Sequence, residues 1–124
     1  SAASDVYKRQ IHINSVDNAP NANGTEVYYA NSNNGNAYGT TSEKLATNIL
    51  NRMLYYMGST NRGVKTAEHA VTKRCEMPAA LTEVGFITNP TEVYNMTTDE
   101  YQYKAAQGIA EGIMITLKDI NVPQ

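Results

Sequence analysis

The sequence is poor in cysteine and in long apolar segments. Cys75 is the only cysteine among the 124 residues, so no disulfide can close within this chain and no cysteine-rich zinc site can form. No apolar run approaches the ~20 residues that a membrane-spanning helix needs. Residues 1–10 have neither an apolar segment nor a small-residue cleavage site, so we do not interpret them as a signal peptide. These absences exclude a disulfide-rich scaffold and give no membrane-spanning segment within the sequence.

Charged residues are few and nearly balanced in sign. The chain carries 10 Lys and Arg against 12 Asp and Glu, a formal net charge of −2, which gives no reason to expect a nucleic-acid partner. Hydrophobic residues make up 41% of the sequence, enough for a packed core and too many for a disordered tail. The length suits one compact domain.

The first predicted strand covers residues 10–14, where apolar and polar residues alternate. The alternation predicts that Ile11 and Ile13 face the core. His12 and Asn14 then share the opposite face. Two polar side chains are therefore expected together just before a turn-rich loop.

Other strand and loop predictions follow from composition. Residues 26–29 form a second short strand candidate, and residues 30–41, rich in Asn and Gly, are predicted to be an exposed loop. Residues 78–87 are the most apolar run and predict a central strand covered on both faces. We interpret residues 61–63 as a turn and residues 68–73 as an edge strand.

Three helices complete the predicted fold. The first begins at Ser42 as N-cap and ends at Gly58. A short helix begins at Asn89-Pro90, and the last runs from about residue 98 to residue 119, with Thr97 opening a capping box. Strands alternating with helices predict an α/β fold with a largely parallel mixed sheet flanked by helices.

Glu83 is the most informative single residue. It lies inside the apolar run of residues 78–87, where an unpaired carboxylate costs several kcal/mol to bury and is therefore paired, coordinated or protonated. The alternative is that the strand ends at Thr82 and Glu83 reaches solvent. The pattern alone leaves both open.

His12 is more informative together with Glu83 than alone. A single histidine on a strand is more often a hydrogen-bonded structural residue than a metal ligand. If the two strands are parallel neighbours, however, His12 and Glu83 lie near the carboxyl ends of the sheet, where α/β folds place their sites. A histidine ligand and a carboxylate base are components of a zinc hydrolase.

Weaker candidates have ordinary explanations. His69 and Cys75 could form a thiol dyad, but no third group that would orient them is visible. Arg62 and Lys65 could hold a substrate carboxylate, although solvated turn charges are the default interpretation. Four tyrosines could stack on sugars, with packing as the alternative: Tyr28, Tyr29, Tyr55 and Tyr56.

Several blocks resemble one known family, the zinc-dependent N-acetylmuramoyl-L-alanine amidases (amidase type 3 catalytic domain), in order and spacing from about Ile11 to Leu117. The blocks are IHINS (residues 11–15), GTEVYY (24–29), NRGVK (61–65), MPAALTEVGFITN (77–89) and AAQGIAEGI (105–113). The resemblance implies an extracellular or cell-wall enzyme of bacteria that cuts peptidoglycan or muropeptides between N-acetylmuramic acid and L-alanine.

By position, His12 resembles the last of the family's three protein ligands to one zinc ion, and Glu83 resembles its catalytic glutamate. In such an enzyme the zinc activates water, and the glutamate acts as general base and then general acid. The other two ligands, a histidine and a glutamate, should precede His12. Residues 1–11 contain neither residue type.

The resemblance therefore implies an N-terminally truncated member. We expect residues 1–10 to be a non-native or unrelated leader, and residues 11–124 to be the C-terminal part of a single amidase catalytic domain, lacking the family's first strand and helix. Such a form is expected to be inactive, with two of three zinc ligands missing. It is also expected to associate through an exposed sheet edge.

Three alternatives remain at this stage. The chain could be a non-catalytic peptidoglycan-binding module that uses the same groove. It could be another zinc-dependent amide hydrolase on a similar fold. It could also be an unfolded piece without a function, which the absence of a cooperative melting transition would reveal.

Overall fold

The computed structural model describes residues 8–30, 40–67 and 77–119. The elements within them are β1 (Lys8–Asn14), β2 (Thr25–Tyr29), α1 (Ser42–Met57), β3 (Asn61–Thr66), β4 (Ala79–Phe86), α2 (Pro90–Met96) and α3 (Asp99–Lys118). In this part of the chain, no helix combines the length and apolar character needed to cross a bilayer.

The strands form one mixed sheet in the order β1-β4-β2-β3. β1 pairs with β4 and β2 pairs with β3 in parallel, whereas β2 and β4 run antiparallel. This confirms the prediction of a mostly parallel mixed sheet flanked by helices. β4 is central and nearly all of its residues are buried. It continues through Glu83 to Phe86, so the alternative in which the strand ends at Thr82 is wrong.

One face of the sheet is covered by α1 and α3. The apolar residues of that core come from both helices and from β2 and β4: Val27, Leu45, Ala46, Ile49, Leu50, Met53, Ala80, Val84, Ala105, Ile109 and Ile113. The four-residue recurrence of the helical members gives each helix one continuous apolar stripe. The core therefore lies on the face of β4 that also carries Ala80.

The two long helices approach each other closely because α3 carries glycine at two contact positions. A Cβ added to Gly108 would lie 2.5 Å from the Met53 Cα, and one added to Gly112 would lie 2.4 Å from the Ile49 Cα. Real Cβ atoms essentially never come within 3.0 Å of another heavy atom. The short distance between α1 and α3 therefore depends on the absence of a Cβ atom at Gly108 and Gly112.

Two predicted helix caps are displaced by one residue. α1 is capped by Thr41, whose hydroxyl accepts from the Lys44 N–H, whereas Ser42 is the first helical residue and its hydroxyl accepts from the Ala79 N–H. α3 is capped by Thr98 instead of Thr97. In each case two adjacent hydroxyl residues could cap equally well by pattern, and packing selects one.

The other two predicted helix ends are confirmed. Gly58 closes α1 in the left-handed region, with φ +66°. α2 begins with Asn89 as N-cap and Pro90 in the first turn.

Residues 61–63 were predicted as a turn and are instead the start of β3. β3 has one more residue than β2 between two paired positions, since Thr25 pairs with Asn61 but Val27 pairs with Val64. Gly63 takes φ +89° within this extra length. A β-bulge and a turn both favour glycine at positive φ, which is why the local pattern was misread. The predicted edge strand at residues 68–73 and most of the predicted loop lie outside the described residues.

Ile11 and Ile13 were predicted to be in the core, yet they are 55% and 50% exposed. They lie on the helix side of the sheet, but α1 and α3 cover β2 and β4 and leave the flank of β1 open. The result is an apolar groove between β1 and α3, hereafter the β1–α3 groove. Its lining includes Ile11, Ile13, Ala106, Ile109 and Met114.

A buried carboxylate, Glu92 on α2, joins the sheet to the helices. Both of its oxygens accept from the Gly24 N–H at 3.1 Å, and Oε1 also accepts from the Phe86 N–H at 2.9 Å. These bonds hold the start of β2 and the end of β4 together. The sequence analysis predicted that a short helix begins at Asn89-Pro90 but did not single out Glu92.

Candidate active site

His12 and Glu83 occupy paired positions on the parallel neighbours β1 and β4. Paired residues of adjacent strands point to the same face, here the face opposite the helical core. The His12 Nδ1 lies 3.8 Å from the Glu83 Oε1, and the two side chains are 45% and 12% exposed. The structure thus brings together the two residues singled out in the sequence, with the imidazole reachable from solvent.

The Glu83 Oε2 atom is buried and accepts no hydrogen bond from any described residue. Burial raises the pKa of the Glu83 carboxyl, the charge of His12 opposes that rise, and the charge of Glu26 adds to it. A carboxyl group with a raised pKa and an unused oxygen is suited to accept a proton and return it.

Glu26, which the sequence pattern did not single out, lies directly across the antiparallel pair from Glu83. Its backbone and side chain are almost fully buried. Oε1 accepts from the Asn14 Nδ2 at 2.8 Å and from the Tyr28 hydroxyl at 2.7 Å. Burial alone would raise the pKa of Glu26, but the hydrogen bonds from Lys65 and Tyr28 and the charge of Lys65 together lower it.

The second oxygen of Glu26 holds two cations. Oε2 lies 2.5 Å from the Lys65 Nζ and 3.3 Å from the Arg62 Nε. The default interpretation of Arg62 and Lys65 as solvated turn charges is therefore wrong. They stand on β3 and compensate a buried carboxylate next to Glu83.

The four tyrosines lie in different parts of the structure, and Tyr29 packs against the hydrophobic core. Tyr28 belongs to the site, and burial together with the adjacent Glu26 raises its pKa to about 12. Tyr55 and Tyr56 lie on α1, where Arg52 stacks over both rings and the Tyr56 hydroxyl contacts Glu111 of α3. His69 and Cys75 lie outside the described residues.

The described residues supply only part of a zinc site. Within residues 8–30, 40–67 and 77–119, no three His, Cys, Asp or Glu side chains are grouped to hold a metal. What fits is the half-exposed imidazole of His12 beside the Glu83 carboxylate, one oxygen of which is buried without a partner in those same ranges. His12 is thus suited to be one ligand of a set whose other members the described residues do not supply.

A family model described as N-acetylmuramoyl-L-alanine amidase matches residues 9–114. The chain belongs to this family. Among its amidase relatives, LytC of Bacillus subtilis (strain 168) is 36% identical over 112 residues, which are 90% of this chain and 21% of LytC.

Solved amidase structures agree with the fold. The chain superposes on the amidase AmiC2 of Nostoc punctiforme with a TM-score of 0.79 and 36% identity, covering 91% of this chain and 58% of that one. For the amidase of Clostridium difficile 630 the TM-score is 0.85 and the identity 29%, covering 94% of this chain and 60% of the other. The chain therefore spans less than two thirds of each amidase compared.

Proposed function

We propose that this chain is part of a peptidoglycan hydrolase that cleaves the amide bond between N-acetylmuramic acid and L-alanine. The observation that carries the proposal is the buried Oε2 of Glu83, which has no partner in the described part of the chain, beside the accessible imidazole of His12. Membership of the amidase family supports the choice of bond. The names of the amidase relatives support peptidoglycan or muropeptides as the substrate.

Glu83 is proposed as general base and general acid. Its unused oxygen accepts a proton from the attacking water, and the same carboxyl then gives that proton to the leaving amine of L-alanine. Burial helps the second step, because a carboxyl whose pKa is raised releases its proton less readily to solvent and keeps it for the amine. The neighbouring Glu26 stays ionised through its cations and is therefore not the proton carrier.

His12 is proposed as one of three protein ligands to a single zinc ion. When bound, zinc polarises the amide carbonyl and acidifies water. The remaining two ligands are proposed to come from sequence that precedes β1 in a longer protein, as the family resemblance implies. A single imidazole does not hold zinc tightly, so we propose that these 124 residues alone are inactive.

The proposed place of action is the bacterial cell wall or the extracellular space. Support comes from relatives named as probable cell wall amidases. We also propose that β1 mediates association. It is an outer strand of the described sheet and lies along the apolar β1–α3 groove, and unpaired strand edges favour pairing with another chain.

A zinc titration tests the metal assignment. The metal-free chain and its His12→Ala variant are compared by calorimetry. We expect the chain to bind zinc weakly and the His12→Ala variant to lose this binding, as for a protein that supplies one of three zinc ligands. Equal binding by both proteins removes His12 from the zinc site.

A second test addresses catalysis. The assay measures the rate at which new L-alanine amino groups are released from purified cell walls. It compares a longer protein that supplies the missing zinc ligands with the Glu83→Gln variant of that protein. We expect the variant to lose at least about a hundredfold in rate, the usual contribution of a general base. Retained rate in the variant would refute the role of Glu83. Wall binding without amine release in either protein would favour the non-catalytic module.

A further inference from the structure

The bulge in β3 places two cations on the same face of the sheet. Arg62 and Lys65 are three positions apart, so in a regular strand their side chains would point to opposite faces. The extra residue at Gly63 restores a common face, and both side chains reach Glu26. Bulges that redirect a side chain occur preferentially beside functional sites.

Arg62 and Lys65 together carry more positive charge than is needed to neutralise Glu26. Each oxygen of Glu26 already has two partners, and one positive charge suffices to neutralise it. Lys65 has three N–H donors and Arg62 has five. Among the described residues, Lys65 donates only to Glu26, while Arg62 adds a long 3.4 Å contact to the Asn23 carbonyl.

The spare donors are accessible and fixed in place. The Arg62 and Lys65 side chains are 35% and 41% exposed. The Arg62 guanidinium also lies 4.9 Å from the centre of the Phe86 ring, which limits its movement. One unit of positive charge is therefore held at the surface in a defined orientation.

The distance to Glu83 suits a peptide. β4 and β3 are separated by β2, and the cationic groups reach from β3 back over β2 to Glu26, so they lie between one and two strand spacings, ~5–10 Å, from Glu83. An extended peptide covers this distance in about two to three residues. An amide bond held at Glu83 would thus place the second or third residue of its peptide over Arg62 and Lys65.

We propose that Arg62 and Lys65 form a subsite for a carboxylate of the substrate's peptide, two or three residues beyond the cleaved amide. The proposal rests on the proposed function, because it takes Glu83 as the place of cleavage. The subsite favours peptides whose carboxyl groups are free over those in which they are amidated. The Arg62 guanidinium orients the carboxylate through paired hydrogen bonds, and the Lys65 ammonium attracts it as a point charge.

The test measures binding, so it does not depend on turnover. The probes are N-acetylmuramoyl-L-alanyl-glutamate with both glutamate carboxyls free and the same compound with both converted to amides. Affinities are measured by calorimetry for the wild type, Lys65→Met and Lys65→Arg. Lys104→Met is the matched control, because Lys104 is 43% exposed, pairs with a glutamate and lies on α3.

We expect the wild type to bind the free acid roughly twofold to fivefold more tightly than the amide, the range of an exposed charge pair. Lys65→Met should lose this preference without weakening binding of the amide, and Lys65→Arg and Lys104→Met should keep it. A thermal melt of each variant checks that the fold persists.

Three results would overturn the subsite. Equal affinity of the wild type for acid and amide refutes the subsite and leaves the amidase assignment intact. Binding of neither probe also refutes the subsite, whereas the amidase assignment is decided separately by the Glu83→Gln comparison. If Lys65→Met weakens both probes equally, Lys65 serves only to hold Glu26, and the subsite is again refuted.

Discussion

Replacing Gly112 by alanine should separate α1 from α3 and destabilise the fold. The new Cβ would lie 2.4 Å from the Ile49 Cα and 2.6 Å from the Ile49 N, and ordinary contact begins at 3.4 Å. Both obstructing atoms belong to the backbone, so no rotamer change relieves the contact. The helices must move apart by roughly 1 Å, which forfeits a quarter to a half of the attraction between atoms that now touch.

The size of the effect follows from two opposing terms. Overpacking of this kind costs ~3 kcal/mol, at the upper end of the usual range because the obstacle is backbone. Alanine regains ~1 kcal/mol over glycine through its helix propensity. We therefore expect the free energy of unfolding to fall by about 2 kcal/mol, and the melting temperature to fall by about 8 °C for a chain of this size.

Urea unfolding followed by circular dichroism measures this change, with the transition midpoint compared at constant slope. Ala110→Gly is the control, since Ala110 is exposed on the same helix and reports propensity alone, with an expected loss of ~1 kcal/mol. A Gly112→Ala protein as stable as the wild type would refute the close-packing argument.

Three further predictions concern polar groups in the interior. Thr82→Val should raise the free energy of unfolding by ~1 kcal/mol in urea melts, because the buried Thr82 hydroxyl has no partner among the described residues. Glu92→Ala should lower it by ~2–4 kcal/mol, because the buried N–H groups of Gly24 and Phe86 lose their acceptor. Glu26→Gln should change the pH dependence of unfolding. Since the folded-state pKa of Glu26 lies below its ordinary 4.5, its stabilisation is complete above that value and is lost as pH falls through the folded pKa. The difference in unfolding free energy between wild type and Glu26→Gln should thus narrow as the pH falls below about 4.5, and a constant difference would contradict the ion-pair assignment.

The sequence was most informative where one residue contradicted its surroundings. Glu83 is a carboxylate within an apolar run, and that conflict is visible in the amino-acid sequence and marks the position of the candidate site. The order of the elements also predicted the mixed sheet. Both inferences depend on patterns that are local in the chain.

Features that depend on pairing between strands were missed. Glu26 lies in an ordinary strand sequence, and its importance comes from Glu83, Arg62 and Lys65, which other strands bring to it. Gly63 favours positive φ equally in a turn and in a bulge, so only the register with β2 distinguishes them. Ile11 alternates correctly for a core position, but alternation gives the face of a strand and says nothing of whether a helix covers it.

The central position of β4 determines the order in which the site can form. β4 is the last of the four described strands to be synthesised, yet it is the strand that separates β1 from β2 in the sheet. A nascent chain that ends before residue 79 therefore holds His12 and Glu26 on strands with no partner between them. Contacts between residues so distant in sequence form slowly, because the chain loses the conformational entropy of the intervening loop before strand pairing stabilises it. His12, Glu26 and Glu83 thus assemble as one of the last events of folding, and translation delivers β1 and α1 well before the candidate site exists.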